Sequence, residues 1–230
     1  MINRIFEKIE NYYGWLGWWP STPLGKSSPE YHKSKKYKYS KSEKFEIAVG
    51  AVLTQNAAWI NVVKALENLK KLRIDSPEKI LKTDKEKIIA AIRPSGYYNQ
   101  KYKKIIFLSE FFIANSIEKL EKLEPLFLRN KFLEIWGVGK ETADSIISYV
   151  FNKPVFVVDA YTRRVFKRNG IISGKEDYDE IRVLIENIIP LNILKYKNYH
   201  AVIVELCKQF CKTKPDCGNC VISNICGKNI

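Results

Sequence analysis

Long hydrophobic runs are missing from this chain. The longest, such as the PVFVV of residues 154–158, is far too short to span a bilayer. The first residues, MINRIFEKIENYY, lack the uninterrupted apolar core and small-residue cleavage site of a signal peptide. A disulfide framework is missing too, because four of the five cysteines are crowded into the last stretch of the sequence. These absences predict an intracellular, cytoplasmic protein with reduced thiols and no membrane partner. No internal repeat is visible, and VFVV has no second strand candidate near it. Acidic residues are outnumbered, 25 against 39 basic ones, for a net charge of +14. A polyanionic partner would match that charge. Most of it is lysine, however, in a chain rich in Lys, Ile, Asn and Tyr as an AT-biased genome encodes, so charge by itself leaves the partner open.

What is present reads as helix. Phe45, Val49, Val52, Leu53, Ile60, Val63, Leu66 and Leu69 recur at three- and four-residue steps and predict helix from Phe45 to Leu72. Ser76-Pro77-Glu78 reads as a helix start, with serine as cap and proline at the first position. Arg93-Pro94-Ser95-Gly96 reads as a turn, with helix resuming over Lys101–Asn115. Further helices are expected over Phe127–Trp136 and Glu141–Phe151, and VFVV is read as a connector into a helix starting near Ala160. Pro23–Lys44 stands apart: it is rich in Lys, Ser and Tyr and has no apolar period. It is expected to be a flexible insertion or long surface loop, or else a basic, tyrosine-bearing arm against phosphates and unstacked bases.

Three motifs carry chemistry. Cys211, Cys217, Cys220 and Cys226 are spaced C-x5-C-x2-C-x5-C. Four thiolates in one short loop suit a tetrahedral zinc or an iron–sulfur cluster. Cys207 lies outside that loop and is expected to be a buried small hydrophobe. Gly137-Val138-Gly139-Lys140 joins two helices, where glycines let a phosphate approach and the second helix offers N–H groups to it. A threonine near the second helix start completes the pattern of a helix-hairpin-helix that grips a DNA backbone without reading bases. Asp159 ends an apolar run and is either a helix cap or a partly desolvated base.

In order along the chain, AVLTQN (51–56), GYYNQK (96–101), GVGKETA (137–143), VDAYTRRV (158–165) and the cysteine loop resemble the endonuclease III superfamily of DNA glycosylases. The resemblance runs from about Phe45 to Cys226. It implies an all-α fold with a DNA cleft between two helical domains. One domain is residues 1–35 plus 154–230, holding the cluster loop, and the other is a six-helix barrel over 36–153 that ends in the hairpin; the basic insertion is residues 22–44. The resemblance also implies that Asp159 is catalytic and that Cys211, Cys217, Cys220 and Cys226 hold a [4Fe–4S] cluster. Gln55 would fill the gap left by a flipped base, and Tyr97 would wedge the opposite strand. Gly137, Gly139 and Lys140 would hold the DNA backbone. The family's commoner spacing has six residues between the first two cysteines, and here there are five.

Bifunctional members carry a lysine nucleophile just before the Thr-Ala pair of the hairpin. Here that position, beside the base pocket, is Glu141, and Lys140 stands one place earlier. A Schiff base needs an amine in reach of the sugar, so the chain resembles the monofunctional members. Gly17-Trp18-Trp19-Pro20, LTQN followed by Trp59, and RPSGYYNQK together resemble the 3-methyladenine branch. There, aromatics matching Trp18, Trp19 and Trp59 line the base pocket, although tryptophans are also ordinary core residues. An alkylated purine is cationic and stacks well on indole. The implied protein is a monomeric base excision glycosylase acting on duplex DNA with damaged bases and associated with the nucleoid through it. The alternatives are an oxidised-pyrimidine or mismatch glycosylase with lyase activity, and an iron–sulfur DNA-binding module without catalysis.

Overall fold

Apolar residues at positions 2, 5, 6 and 9 give the first helix one continuous stripe. In the computed structural model, which describes residues 1–229, that helix is α1 (Ile2–Tyr13), and Ile2, Ile5, Phe6 and Ile9 are all buried. The chain continues through α2 (Lys41–Leu53), α3 (Trp59–Lys71), α4 (Pro77–Lys82) and α5 (Lys85–Ile92). After these come α6 (Tyr98–Ala114), α7 (Ile117–Leu120), α8 (Pro125–Leu133) and α9 (Lys140–Tyr149). It closes with α10 (Ala160–Arg168), α11 (Tyr178–Ile188) and α12 (Ile193–Gln209). No strand forms among the described residues, and one isolated antiparallel bridge joins Ser21 and Glu30. None of the described helices is long and apolar enough to cross a membrane.

The chain divides into two compact units, Met1–Trp18 with Lys153–Ile230, and Trp19–Asn152. In the first, α1 packs on α12 and α11, and Phe6 stacks on Tyr199 at 4.3 Å between ring centroids. Val155, Phe156, Val157 and Val158 are buried without regular structure, as expected of a connector. The Phe156 amide donates to Glu186 Oε1 (2.8 Å), which satisfies a backbone group that a strand would have paired. In the second unit α2 packs on α9, α9 on α8, and α6 on α4. Ser76 caps α4 through the Lys79 amide with Pro77 in the first turn, as its sequence predicts.

Two expectations need correction. The helix predicted from Phe45 to Leu72 breaks at residues 54–58. Asn56 there is left-handed (φ 52°), and Thr54 Oγ1 donates back to the Ala51 carbonyl (2.9 Å). The basic stretch after Pro20 is not a loose insertion. Ser21 Oγ meets His32 Nε2 at 2.8 Å and donates to Glu43 Oε1 at 2.9 Å, and Tyr37 Oη donates to the same oxygen at 2.7 Å. These bonds tie residues 19–35 to α2, so they belong with the unit Trp19–Asn152 and the division falls at Trp18, not at residue 35.

Candidate active site, hairpin and thiolate loop

The hairpin is held from behind by a buried ion pair. Arg129 on α8 meets Asp144 on α9 through Nε–Oδ1 (2.7 Å) and Nη2–Oδ2 (3.2 Å), a two-pronged contact that fixes the two helices against each other. Its two glycines differ in kind. Gly137 has φ 83°, and a Cβ there would lie 2.5 Å from Lys104 Cγ, so only glycine fits. Gly139 has an extended backbone (φ −91°, ψ 178°), and a Cβ would meet nothing within 4 Å. Nothing inside the molecule demands a glycine at 139; the open face in front of α9 does, if a backbone or phosphate is to come close. Lys140 and Glu141 open α9, with Glu141 exposed.

Gln55 sits in the turn between α2 and α3. Its Nε2 donates to the Gly137 carbonyl (3.1 Å) and to Thr142 Oγ1 (2.9 Å), and its Oε1 accepts from Lys104 Nζ. Tyr97 caps α6 in a left-handed conformation (φ 46°) and is 67% exposed. A bulky residue adopts that conformation only where its surroundings impose it.

Asp159 is a helix cap and a desolvated carboxylate. It caps α10, with Oδ1 accepting from the Thr162 amide (2.7 Å), and it is only 8% exposed. Its Oδ2 lies 3.5 Å from His200 Nε2 on α12. Burial pushes the carboxyl up, but the bond and charge of His200 and the bonds from Thr162 outweigh it and hold the group below the ordinary aspartate range. A buried, ionised carboxylate at a helix N-terminus can stabilise nearby positive charge or take a proton from water. Trp18, half-buried in this unit, packs edge-on to His200 (5.5 Å) beneath Lys208 Nζ (5.6 Å from the ring centroid).

The other two tryptophans meet in the unit Trp19–Asn152. Trp19 is 5% exposed and makes edge contacts with Trp59 (5.6 Å) and Tyr149 (5.3 Å). Trp59 is half-buried at the start of α3. Trp19 is thus the wall behind Trp59 and not an open ring face.

Cys211, Cys217, Cys220 and Cys226 all line one cavity, with Arg168, Phe210 and Ile222 among its other walls. Among the described residues no three His, Cys, Asp or Glu side chains stand at the spacing of a bare metal ion. The donor set nonetheless fits a group held by thiolates. Arg168 Nη1 donates to Cys211 Sγ (3.2 Å), and the Lys228 amide to Cys226 Sγ (3.4 Å). A hydrogen bond with Cys207, and then the guanidinium of Arg168, hold the Cys211 thiol below its ordinary value against its burial. Cys207 itself is buried in the hydrophobic core and is absent from the cavity lining.

His200 and Lys101 were not singled out from the sequence. The chain has only two histidines, and both lie in buried polar pairs, His32 with Ser21 and His200 with Asp159. That scarcity was the available signal. Lys101 stands inside the GYYNQK run, where nothing marked it as buried.

Residues 49–191 match the model of the HhH-GPD superfamily base excision DNA repair proteins. A presumed DNA repair glycosylase of Methanocaldococcus jannaschii is 41% identical over 230 residues, covering 98% of this chain and 96% of that protein. Endonuclease III of Rickettsia conorii is 31% identical over 189 residues, 79% of this chain and 83% of its own. Among solved structures, the 3-methyladenine DNA glycosylase of H. pylori bound to 1,N6-ethenoadenine superposes with TM-score 0.68 at 32% identity, over 90% of this chain and 96% of that one. An endonuclease III–DNA complex shares the fold (TM-score 0.74, 21% identity, 99% and 95% covered). The chain therefore belongs to the helix-hairpin-helix–GPD superfamily of base excision DNA repair proteins.

Proposed function

We propose that this base excision glycosylase hydrolyses the N-glycosidic bond of alkylated purines, 3-methyladenine above all, and leaves the strand uncut. The observation that carries the reading is Asp159, buried yet held as a carboxylate by Thr162 and His200. The carboxylate stabilises the oxocarbenium-like sugar as the bond breaks and orients or deprotonates water. A base alkylated on a ring nitrogen leaves as a neutral molecule, so no general acid is required. Trp59, backed by Trp19, offers a ring face to an electron-poor purine. The hairpin amides at Gly139 take a backbone phosphate without reading sequence. The 32% identity to a 3-methyladenine glycosylase supports the substrate class.

Glu141 supports the monofunctional reading, because it occupies the position just before the Thr-Ala pair where the bifunctional members carry their Schiff-base lysine, and Lys140 stands one place earlier. The second reading, an endonuclease III-type lyase, is favoured by Lys140 next to it and by the 31% identity to an endonuclease III. The four cysteines would hold a [4Fe–4S] cluster whose contribution is to cross-link the loop carrying Lys212 and Lys214. Methylated duplex DNA decides between the readings. The expected result is release of free methylated purine, an abasic strand cut only after alkali, and no borohydride-trapped adduct. A trapped covalent complex, or release of oxidised pyrimidines alone, would overturn it.

A further inference from the structure

Lys101 is the most deeply buried cationic side chain among the described residues, 1% exposed on α6. The partners of its ammonium are two carbonyl oxygens, Leu53 O at 2.8 Å and Ser95 O at 2.7 Å. No nearby carboxylate compensates it: burial, followed by the charge of Lys104, brings its pKa down to about 8. A desolvated cation on two neutral acceptors is an expensive way to fill space, and a methionine would fill it without that penalty. What only a multi-donor head can do is join those two carbonyls.

Both carbonyls lead directly into turns that carry strained residues. Leu53 ends α2, and Gln55 and the left-handed Asn56 follow it. Ser95 precedes Gly96 (φ 70°) and the left-handed Tyr97. The Lys101 backbone amide also donates to the Tyr97 carbonyl (3.0 Å), so one residue holds the Tyr97 turn from both sides. We infer that Lys101 is a positioning residue for strand opening, a brace that locks the Gln55 turn and the Tyr97 turn into one rigid unit. The inference rests on the reading in which Gln55 and Tyr97 enter the duplex, and it adds that their separation is set by a residue that never touches DNA. Gln55, bonded in turn to Gly137 and Thr142, extends the same brace to the hairpin.

The test is base release by Lys101→Met from two duplexes. In one the methylated purine is paired; in the other it lies opposite an abasic analogue, where no partner base must be displaced. Release from the paired duplex should fall by about 10–100-fold and from the unpaired one by less than about threefold, since breaking the pair and stack is the step that needs the wedge. Lys101→Gln, which keeps a shorter, neutral NH2 with two donors, should show the same imbalance in milder form. Adding Lys101→Met to Tyr97→Ala should cost little more than Tyr97→Ala alone. Equal losses on the two duplexes, additive effects with Tyr97→Ala, or loss of the fold in both Lys101 variants would make Lys101 a stability residue and overturn the inference. Wild-type enzyme inactive on both duplexes would instead strike the alkyl-purine reading beneath it.

Discussion

Gln55 donates from Nε2 to the carbonyl of Gly137, 3.1 Å away and 82 residues on in sequence. The residue expected to enter DNA is therefore already bonded to the element expected to hold the DNA backbone. A side chain in that position is pre-ordered, so less freedom is lost when duplex arrives.

The two hairpin glycines should separate stability from binding. Gly137→Ala forces a left-handed alanine onto Lys104 and should destabilise the fold by about 1–3 kcal/mol. Gly139→Ala should change stability by less than about 0.5 kcal/mol. It should weaken DNA binding roughly tenfold, the worth of one or two backbone hydrogen bonds. Thermal melts and a DNA titration on both variants check the pair. A Gly139→Ala protein that binds DNA normally would remove the phosphate from that face.

Asp159→Asn should lower base release on the order of a hundredfold or more, with DNA affinity close to unchanged. The folded carboxyl lies below its unfolded value of about 3.9, so its stabilising contribution is present above that pH and is lost as pH falls through the folded value. His200→Phe removes the partner and keeps the burial. The carboxyl then rises, and the acidic limb of the rate profile should move to higher pH. A limb that stays in place would show that His200 does not hold the charge.

Trp19→Ala should destabilise the protein by about 3–5 kcal/mol as a buried aromatic removed from the core. Trp59→Ala should melt near the wild-type temperature while releasing methylated purines about 10–100-fold more slowly. The reverse pattern would exchange their roles.

Protein purified without oxygen should be brown, with broad absorbance at roughly 400 nm. Serine at Cys211, Cys217, Cys220 or Cys226 should abolish the colour, and Cys207→Ala should keep it, because Cys207 is not part of the cavity wall. Stoichiometric zinc without iron would replace the cluster with a tetrathiolate metal.

The helices were legible because their signals are local: the α1 stripe, the Ser76-Pro77 start and the Asp159 cap each sit within a few residues of what they specify. The break after Leu53 was hidden because apolar residues keep the helical period across it, and only Asn56 hints at the left-handed turn. The stretch after Pro20 read as loose because its order comes from one buried carboxylate, Glu43, gathering Ser21, Tyr37 and the Ser40 amide from up to 22 residues away. Composition cannot report that convergence. Nor can it report Lys101, which in sequence is one lysine among many.

The first helix has a consequence for how the chain is made. Ile2, Ile5, Phe6 and Ile9 are synthesised before Phe156, Phe166 and Tyr199, which belong to the same core but come more than 140 residues later. The unit Trp19–Asn152 is continuous in sequence and can complete itself during that interval. The apolar face of α1 therefore stays without its core neighbours until the residues after Lys153 are made, so the unit it belongs to closes after the continuous one.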